Sequence, residues 1–202
     1  MISGLVLAAG ESRRFGRTKQ LVEHRGKTLL QHSVDALADA GVDEIVVVTG
    51  HDADAVEASV RLPANARVVR NPAYREGQAS SLGAGLHALD GDSEAAVVLM
   101  TDQPDVTADV VRALVRRFLA ARSQIVRAAY RDGPGPSLLS REIYAEAGHL
   151  FGDAGARGLM ASHPDWVEEV PIDRPAPPDV DTPADLESIR PTTHPGDATR
   201  DH

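Results

Sequence analysis

The sequence has no cysteine among its 202 residues. This absence excludes disulfide bonds, thiolate metal sites and a cysteine nucleophile. The eight histidines include no pair spaced four residues apart, so the helical zinc motif is absent as well. No apolar run approaches the roughly 18 residues that a membrane-spanning helix needs, and no basic segment precedes the first apolar run. We therefore expect a soluble, cytoplasmic protein that has no membrane partner.

Lysine is scarce too, because only Lys19 and Lys27 occur among the 21 basic residues. The net charge of −9 argues against binding of nucleic acid, which needs a broad basic surface. Against this acidic background, the segment from Arg13 to Lys27 contains six cations and one acid, Glu23. Such a segment favours an anion-binding site, although a solvated basic face would have the same composition.

Apolar, β-branched runs alternate with amphipathic stretches along most of the chain. The alternation predicts right-handed crossovers and a mostly parallel sheet with helices on both faces, which is a three-layer, Rossmann-like α/β fold. The predicted strands are 2–8, 45–49, 67–69, 96–100, 125–130, 136–139 and 166–172, with 136–139 at an edge because it begins with proline. The predicted helices are 29–40, 53–60, one from Ser80 or Ser81 to Leu89, one to Ala121, 140–148, 153–161 and one from Pro183, with Thr28, Thr107 and Thr182 as caps.

The length favours one domain, which we expect to span residues 1–190. Residues 191–202 lack apolar periodicity and are predicted to be a disordered tail. In a mostly parallel sheet, ligands bind beyond the carboxyl ends of the strands. The candidate site residues should therefore follow strands.

The first predicted strand ends in two alanines and Gly10, and a polar loop with two adjacent arginines follows. Small residues let backbone amides approach an anion closely, and arginine offers a fork of donors that matches phosphate oxygens. The loop is neither of the two common nucleotide fingerprints, because Phe15 and Ser12 stand where those patterns need glycine. We predict a phosphate-binding loop. The alternative is a plain strand-to-loop connection.

Two carboxylates are the candidate metal ligands. Asp102 follows a buried strand, and Asp181 precedes a predicted helix start. Together they could bind Mg²⁺, which typically takes one or two carboxylates plus substrate phosphates. Each has an alternative structural role, Asp102 in a turn before proline and Asp181 beside a helix cap. Asp179 and Asp173 compete for the place of the second ligand.

Six separated motifs occur in a fixed order: Leu7-Ala8-Ala9-Gly10-x-Ser12-x-Arg14-x-Gly16 with Lys19; Gly26-Lys27; Asn71-Pro72 with Glu76-Gly77-x-x-Ser80-Ser81-Leu82; Asp102-Gln103-Pro104; Gly152-Asp153-x-Gly155-Ala156-Arg157; and Asp181-Thr182-Pro183-x-Asp185-Leu186. This combination resembles the nucleotidyltransferases of the GT-A-like fold, and most closely the molybdenum-cofactor cytidylyltransferases (MobA/MocA-like). The resemblance covers about residues 2–190. The first motif alone would indicate only the wider superfamily.

The resemblance implies a Mg²⁺-dependent reaction, in which the terminal phosphate of a molybdopterin-type cofactor attacks the α-phosphorus of CTP and pyrophosphate leaves. It implies that the backbone amides of residues 8–10, with Ser12 and Arg14, hold the triphosphate. Lys19 would neutralise charge on the α-phosphate and the leaving group, and the two aspartates would hold the metal ion. The residues implied in nucleotide binding are Leu7, Ala8, Ala9, Gly10, Ser12, Arg13, Gly77 and Ser81; those implied in catalysis are Arg14 and Lys19; and the metal ligands are Asp102 and Asp181.

One departure leaves the acceptor open. Gly135 stands where the family often has histidine, in a segment that approaches the acceptor. GTP in place of CTP also stays open, and the resemblance implies a molybdoenzyme or its chaperone as a protein partner. Because the branch includes relatives labelled as nicotinamide-dependent dye reductases, an NAD(P)H-dependent dye or quinone-type oxidoreductase is the second hypothesis. A non-catalytic cofactor-binding protein is the third, and the intact Lys19 and aspartates argue against it.

Overall fold

The computed structural model describes residues 1–189, so the predicted tail over 191–202 lies outside the described residues. The strands are β1 (Ile2–Leu7), β2 (Glu23–His24), β3 (Lys27–Thr28), β4 (Glu44–Thr49), β5 (Ala66–Arg70), β6 (Ala95–Met100), β7 (Ile125–Tyr130), β8 (Pro134–Ser140) and β9 (Val167–Ile172). The α-helices are α1 (Leu29–Ala40), α2 (Ala53–Ala58), α3 (Gln78–Ala88), α4 (Ala108–Ala121), α5 (Tyr144–Ala147), α6 (Gly155–Ser162) and α7 (Pro183–Ile189). Within residues 1–189 we find no helix long and apolar enough to cross a membrane.

Seven strands form one sheet in the order β5-β4-β1-β6-β8-β7-β9, and β2 pairs with β3 in a separate hairpin. The pairs β1–β4, β1–β6, β4–β5 and β7–β9 are parallel, whereas β8 runs against both of its neighbours. The predicted, mostly parallel sheet is therefore confirmed. Six of the seven strands direct their carboxyl ends to the same edge.

The prediction that 136–139 is an edge strand is wrong, because β8 lies between β6 and β7. Its pairing with β6 begins only at Ser137, so Pro134 and Pro136 lie before the rungs that this neighbour supplies. On the other side, the register between β7 and β8 shifts at a bulge near the prolines. A central strand tolerates proline, which has no backbone N–H, at positions where no hydrogen bond to a neighbouring strand needs that donor.

Alternate side chains of β1 pack on opposite faces of the sheet. Val6 belongs to an apolar cluster with α1 and α4, and Leu5 belongs to one with α3, α5 and α6. Both layers approach closely at glycines: a Cβ on Gly4 would lie 2.7 Å from Leu37 of α1, and one on Gly85 of α3 would collide with the Leu5 side chain. The predicted layers of helices on both faces are confirmed, and β1 is buried between them.

A third apolar cluster joins the two ends of the described chain. Its buried members come from the segment after β1, from α1 and from the C-terminal segment, and they are Phe15, Val22, Leu29, Val180 and Leu186. The amide of Val180 also donates to the carbonyl oxygen of Asp102 at 2.7 Å. These contacts fix the C-terminal segment against the loop after β1 and the end of β6.

Two of the three predicted threonine caps form hydrogen bonds. The Thr28 hydroxyl accepts from an amide in the first turn of α1, and Thr182 accepts from the Asp185 amide at 3.3 Å. The Asp185 carboxylate accepts from the Thr182 amide at 2.7 Å in return. The interaction with the Thr182 side chain, and after it the bond from the Thr182 amide, holds the pKa of Asp185 below its usual range. Thr107 precedes α4 without a capping bond, and its hydroxyl accepts from Arg174 instead.

The start of α3 differs from the prediction, because the helix begins at Gln78 rather than at Ser80 or Ser81. The Ser80 hydroxyl donates back to the preceding loop, so it does not cap. Gly77 precedes the helix with φ +105°, a conformation that favours glycine. A Cβ on Gly77 would lie 2.8 Å from Cα of Gly152, so α3 begins in direct contact with the loop before α6.

Gly77→Ala should destabilise the protein by about 2 kcal/mol, because the residue would be strained and its Cβ would collide with Gly152 backbone. The free energy of unfolding, measured by urea titration, checks this expectation. The matched control is Gly83→Ala in the same helix, where the added Cβ meets no atom within 4 Å. A control that loses as much stability as Gly77→Ala would show that the contact with Gly152 is unimportant.

Candidate active site

The candidate site lies at the carboxyl edge of β1, β4, β5 and β6. The segment after β1, residues 8–19, is called the first loop below. It borders the turn after β4, and together they line an open cleft of about 470 Å³. The cleft is lined by Glu11, Ser12, Arg13, Gly16, Arg17, Thr18, His51 and Asp52. The position agrees with the rule that ligands of such sheets bind beyond the carboxyl ends of the strands.

The amides at the start of the first loop are not all available to a ligand. The Ala8 amide donates to the carbonyl oxygen of Val48 at 2.8 Å, so this amide already has an acceptor, and its implied contact with a phosphate stays a prediction. Within residues 1–189, no protein group accepts from the amides of Ala9 and Gly10. These two amides are therefore the donors that the start of the loop can offer to an anion. Leu7, Ala8 and Ala9 are buried and form the floor.

Gln20 holds the carbonyl groups of this segment, and the sequence reasoning had assigned it no role. Its buried side-chain amide donates to the carbonyl oxygens of Ala8 at 3.1 Å and Gly10 at 3.0 Å. The carbonyl oxygen of Ala9 accepts from the amide of His51 at 3.1 Å. All three carbonyl oxygens therefore have protein donors, which fix the backbone of this segment.

Ser12 organises the turn in the middle of the first loop. Its φ is +54°, and its carbonyl oxygen accepts from the amides of Phe15 at 2.9 Å and Gly16 at 3.2 Å. Its hydroxyl accepts from the Lys19 amide at 3.2 Å. A change at Ser12 would therefore alter the loop and the position of Lys19 together.

Lys19 lies between the two predicted metal ligands. Its ammonium nitrogen is 2.9 Å from Asp181 Oδ1 and 3.7 Å from Asp102 Oδ2, and it donates to the carbonyl oxygen of Val180 at 3.2 Å. The Lys19 side chain is only 14% exposed, and the Asp102 side chain only 19%. Three residues that are distant in sequence thus form one partly buried cluster of charges.

Burial is the main influence on Asp102. It raises the pKa of the carboxyl above its usual value, and the negative charges of Asp179 and Asp181 act in the same direction. The Lys19 ammonium acts in the opposite direction. Ionisation of Asp102 in the folded protein is therefore unfavourable, and a bound cation would offset part of that cost.

The two competing aspartates have other partners. Asp179 accepts from the Gln103 side chain at 2.7 Å, and Asp173 pairs with Arg131 at the far end of the sheet edge. Asp181, which contacts Lys19 directly, is therefore the better candidate for the second ligand. The exposed Arg14 also reaches Asp181, with a distance of 2.9 Å from its guanidinium to Oδ2.

The remaining predicted residues lie elsewhere in the site. Arg13 projects into solvent and pairs with Glu11 at 2.6 Å. Gly77 forms the contact with Gly152 described above. Ser81 is buried, and its hydroxyl accepts from the Asn71 side chain at 3.1 Å, so the structure gives it a packing role and the implied contact with a nucleotide stays a prediction.

The donor set fits a hard divalent cation that is completed by a substrate. Residues 1–189 contain no cluster of three or more histidine, aspartate or glutamate side chains able to hold a metal ion by themselves. Asp102 and Asp181 contact the same ammonium group, so their oxygens face one small region that suits a cation. Mg²⁺ and similar ions bind through one or two carboxylates when substrate phosphates supply further oxygens.

The family model described as MobA-like NTP transferase domain matches residues 4–167. The chain belongs to this family. It is accordingly a nucleotidyltransferase, and the solved structures similar to it include a nucleotidyl transferase from Methanothermobacter, with 27% identity and a TM-score of 0.79 over 94% of this chain and 96% of the other. The MobA-like fold accounts for the mostly parallel sheet and for the loop after β1.

Two relatives match nearly the whole MobA-like chain. Nicotine blue oxidoreductase from Paenarthrobacter nicotinovorans is 33% identical over 90% of this chain and 92% of the relative. The crystal structure of Rv0371c from Mycobacterium tuberculosis H37Rv is 33% identical, covers 93% of this chain and 95% of the other, and has a TM-score of 0.82. Rv0371c has also been solved in complex with manganese, with 31% identity and a TM-score of 0.78 over 93% of this chain and 96% of the other.

Asp102→Asn should stabilise the protein at neutral pH. A carboxyl whose pKa is raised by folding favours the folded state at low pH, and this contribution is lost as the pH rises through the raised pKa. The neutral variant has no carboxyl to ionise at this position, so it does not lose this stability. The difference in free energy of unfolding between the variant and the wild type should therefore grow with pH and then level off. Urea titrations from about pH 3, below the usual pKa of an aspartate, to about pH 8 measure it.

The matched control for the loss of one carboxylate is Asp165→Asn, at an exposed aspartate outside the charge cluster. A stability difference between Asp102→Asn and the wild type that stays flat across this pH range would contradict the assignment of burial as the main influence on Asp102.

Proposed function

We propose that this protein transfers CMP from CTP to the terminal phosphate of a molybdopterin-type cofactor and releases pyrophosphate. An oxygen of the acceptor phosphate would bond to the α-phosphorus while the bond from that phosphorus to the β-phosphate oxygen breaks. The observation that carries the proposal is the position of Lys19 between Asp102 and Asp181, beside a loop with two open amides. The matched family has nucleotidyl transfer as its chemistry.

The protein would act by positioning and by electrostatics. The amides of Ala9 and Gly10, with Arg13 and Arg14, would bind the triphosphate, and Lys19 would neutralise charge that develops on the α-phosphate and the leaving group. A general base is unnecessary, because the attacking phosphate is already an anion. Burial of Lys19 keeps water away from its ammonium and so strengthens its interaction with a phosphate.

Asp102 and Asp181 would hold the metal ion, for which we propose Mg²⁺. A bound Mg²⁺ would supply positive charge to the phosphate oxygens. The manganese complex of Rv0371c supports a divalent ion on this scaffold. Asp181 would then exchange its contacts with Lys19 and Arg14 for the ion, which leaves both cations available for phosphate.

The acceptor side is where this chain departs from the family pattern. A Cβ at Gly135 would lie 3.0 Å from Cδ2 of Tyr130, so the tyrosine ring occupies the space beside this glycine. Phe151 is 88% exposed and directly precedes the glycine that packs on the start of α3. An exposed aromatic ring at this loop supports an acceptor with a flat ring system, as a pterin has.

The second candidate function is reduction of a dye or quinone by NAD(P)H. It is supported by the name of the relative from Paenarthrobacter nicotinovorans, which matches 90% of this chain. The first loop gives it no support, because Ser12 stands where the dinucleotide fingerprint needs glycine.

Calorimetry with CTP and with GTP, each with and without Mg²⁺, tests the proposal. We expect CTP to bind, and to bind more tightly when Mg²⁺ is present, because the ion joins the two carboxylates to the phosphates. Preference for GTP would keep the reaction class and overturn the choice of nucleotide. Failure of both nucleotides, together with binding and oxidation of NADPH in the presence of a dye, would favour the oxidoreductase.

Lys19→Ala should lower the rate of nucleotidyl transfer on the order of 10²- to 10³-fold, since it removes a cation from the developing negative charge. The Mg²⁺ dependence of nucleotide binding should change much less. Single-turnover kinetics and calorimetry measure the two effects separately. The control is Lys27→Ala, at the one other lysine, which pairs with Asp35 away from the charge cluster. Equal loss of transfer and of metal dependence would assign Lys19 a role in loop structure alone.

A further inference from the structure

A carboxylate inside the cationic first loop requires a physical explanation. The segment from Gly10 to Lys19, with both ends included, contains four basic residues and one acid, Glu11. A negative charge at this position repels the triphosphate that the loop is proposed to bind. Glu11 nevertheless lines the open cleft beside Ser12 and Arg13.

Glu11 binds two arginines at once. Its Oε2 accepts from Nε of Arg13 at 2.6 Å, and its Oε1 lies 3.3 Å from Nε of Arg75. The Glu11 side chain is 22% exposed, whereas both arginines project into solvent. The hydrogen bond with Arg13, and after it that with Arg75, lowers the pKa of Glu11, so the carboxylate is charged at neutral pH.

Arg75 reaches Glu11 from a different loop. It lies between β5 and α3, and its guanidinium is 5.3 Å from the centre of the Tyr74 ring. Tyr74 packs against the turn after β4, where a Cβ on Gly50 would lie 2.7 Å from Cβ of Tyr74. The loops after β1, β4 and β5 therefore meet at this ion pair, above the buried Ala9.

Exposed ion pairs contribute little to stability, so their exchange for another anion has a low cost. Arginine forms paired hydrogen bonds with phosphate as readily as with a carboxylate. A triphosphate carries more negative charge than a single carboxylate, and it would compete effectively for both guanidinium groups. The three loops thus hold two arginines, Arg13 and Arg75, from which a phosphate ligand can displace Glu11.

We propose that Glu11 is a built-in competitor that occupies Arg13 and Arg75 until a nucleoside triphosphate displaces it, and that Arg75 is a nucleotide-binding residue. This inference rests on the proposed function, since it requires a triphosphate ligand. Glu11 keeps the two guanidinium groups oriented in the free protein, and it weakens binding of ligands with too little charge to replace it. The site then discriminates between nucleoside triphosphates and monophosphates.

The test is calorimetry with Mg²⁺ and CTP, GTP, CMP or inorganic tripolyphosphate at about 0.15 M salt, where distant charges are largely screened. Glu11→Gln should bind the preferred nucleoside triphosphate, and tripolyphosphate, about two- to fivefold more tightly than the wild type does. It should also reduce the preference for triphosphate over monophosphate. Glu23→Gln removes the same charge from an exposed residue of β2, outside the first loop, and should have a smaller effect.

Arg75→Gln should weaken triphosphate binding about tenfold, and the gain from Glu11→Gln should shrink in the double variant, because the two side chains act on each other. Arg116→Gln, on the exposed side of α4, controls for the loss of one positive charge. Circular dichroism and urea titration verify that each variant folds.

The outcomes separate this inference from the proposed function. If the wild type binds a nucleoside triphosphate while Glu11→Gln binds it equally or more weakly, Glu11 only positions the arginines and the inference fails alone. An unchanged affinity in Arg75→Gln would likewise remove Arg75 from the binding site. A wild type that binds none of the triphosphates would overturn the inference and the proposed function together.

Discussion

The structure depends on one electrostatic constraint, which is the need to keep three carboxylates together at the end of a buried strand. Asp179 and Asp181 both oppose ionisation of Asp102, so the cluster is repulsive without a cation. Lys19 supplies that cation from the first loop. The apolar cluster of Phe15, Val180 and their neighbours, and the bond from the Val180 amide to Asp102, hold the C-terminal segment in place against this repulsion. The repulsion among these carboxylates lowers the stability of the fold, and it also makes the site attractive to a cation.

The sequence predicted those parts of the molecule that local signals specify. Local sequence alone predicts three strands, from the β-branched run of β4 and the apolar runs of β1 and β6. It also predicts the Thr28 cap. The rule that parallel strands present ligands at their carboxyl ends then placed the first loop and Asp102 at one edge. The structure brings Lys19, Asp102 and Asp181 into contact, although the sequence could not show that they are neighbours.

The remaining features depend on contacts between distant residues. Proline made β8 look like an edge strand, whereas its prolines lie before the rungs shared with β6. The bond from the Ala8 amide to Val48 of the adjacent strand was not predictable from the loop sequence either. Gln20 gave no usable signal in the sequence. Its amide group must find partners because it is buried, and its burial was not predictable from composition. The pairing of Glu11 with Arg75 spans 64 residues and left no local trace.

The proposed reaction is built from two halves that rest on different parts of the fold. Phosphate chemistry would depend on the first loop, Lys19 and two aspartates, and these parts would serve any acceptor that carries a nucleophilic phosphate. Recognition of the acceptor would depend on the segment around Gly135 and Tyr130, where this chain departs from the family pattern, and on the loop at Phe151. A change in the second half leaves the first intact. Relatives of similar fold can therefore have names that describe different reactions.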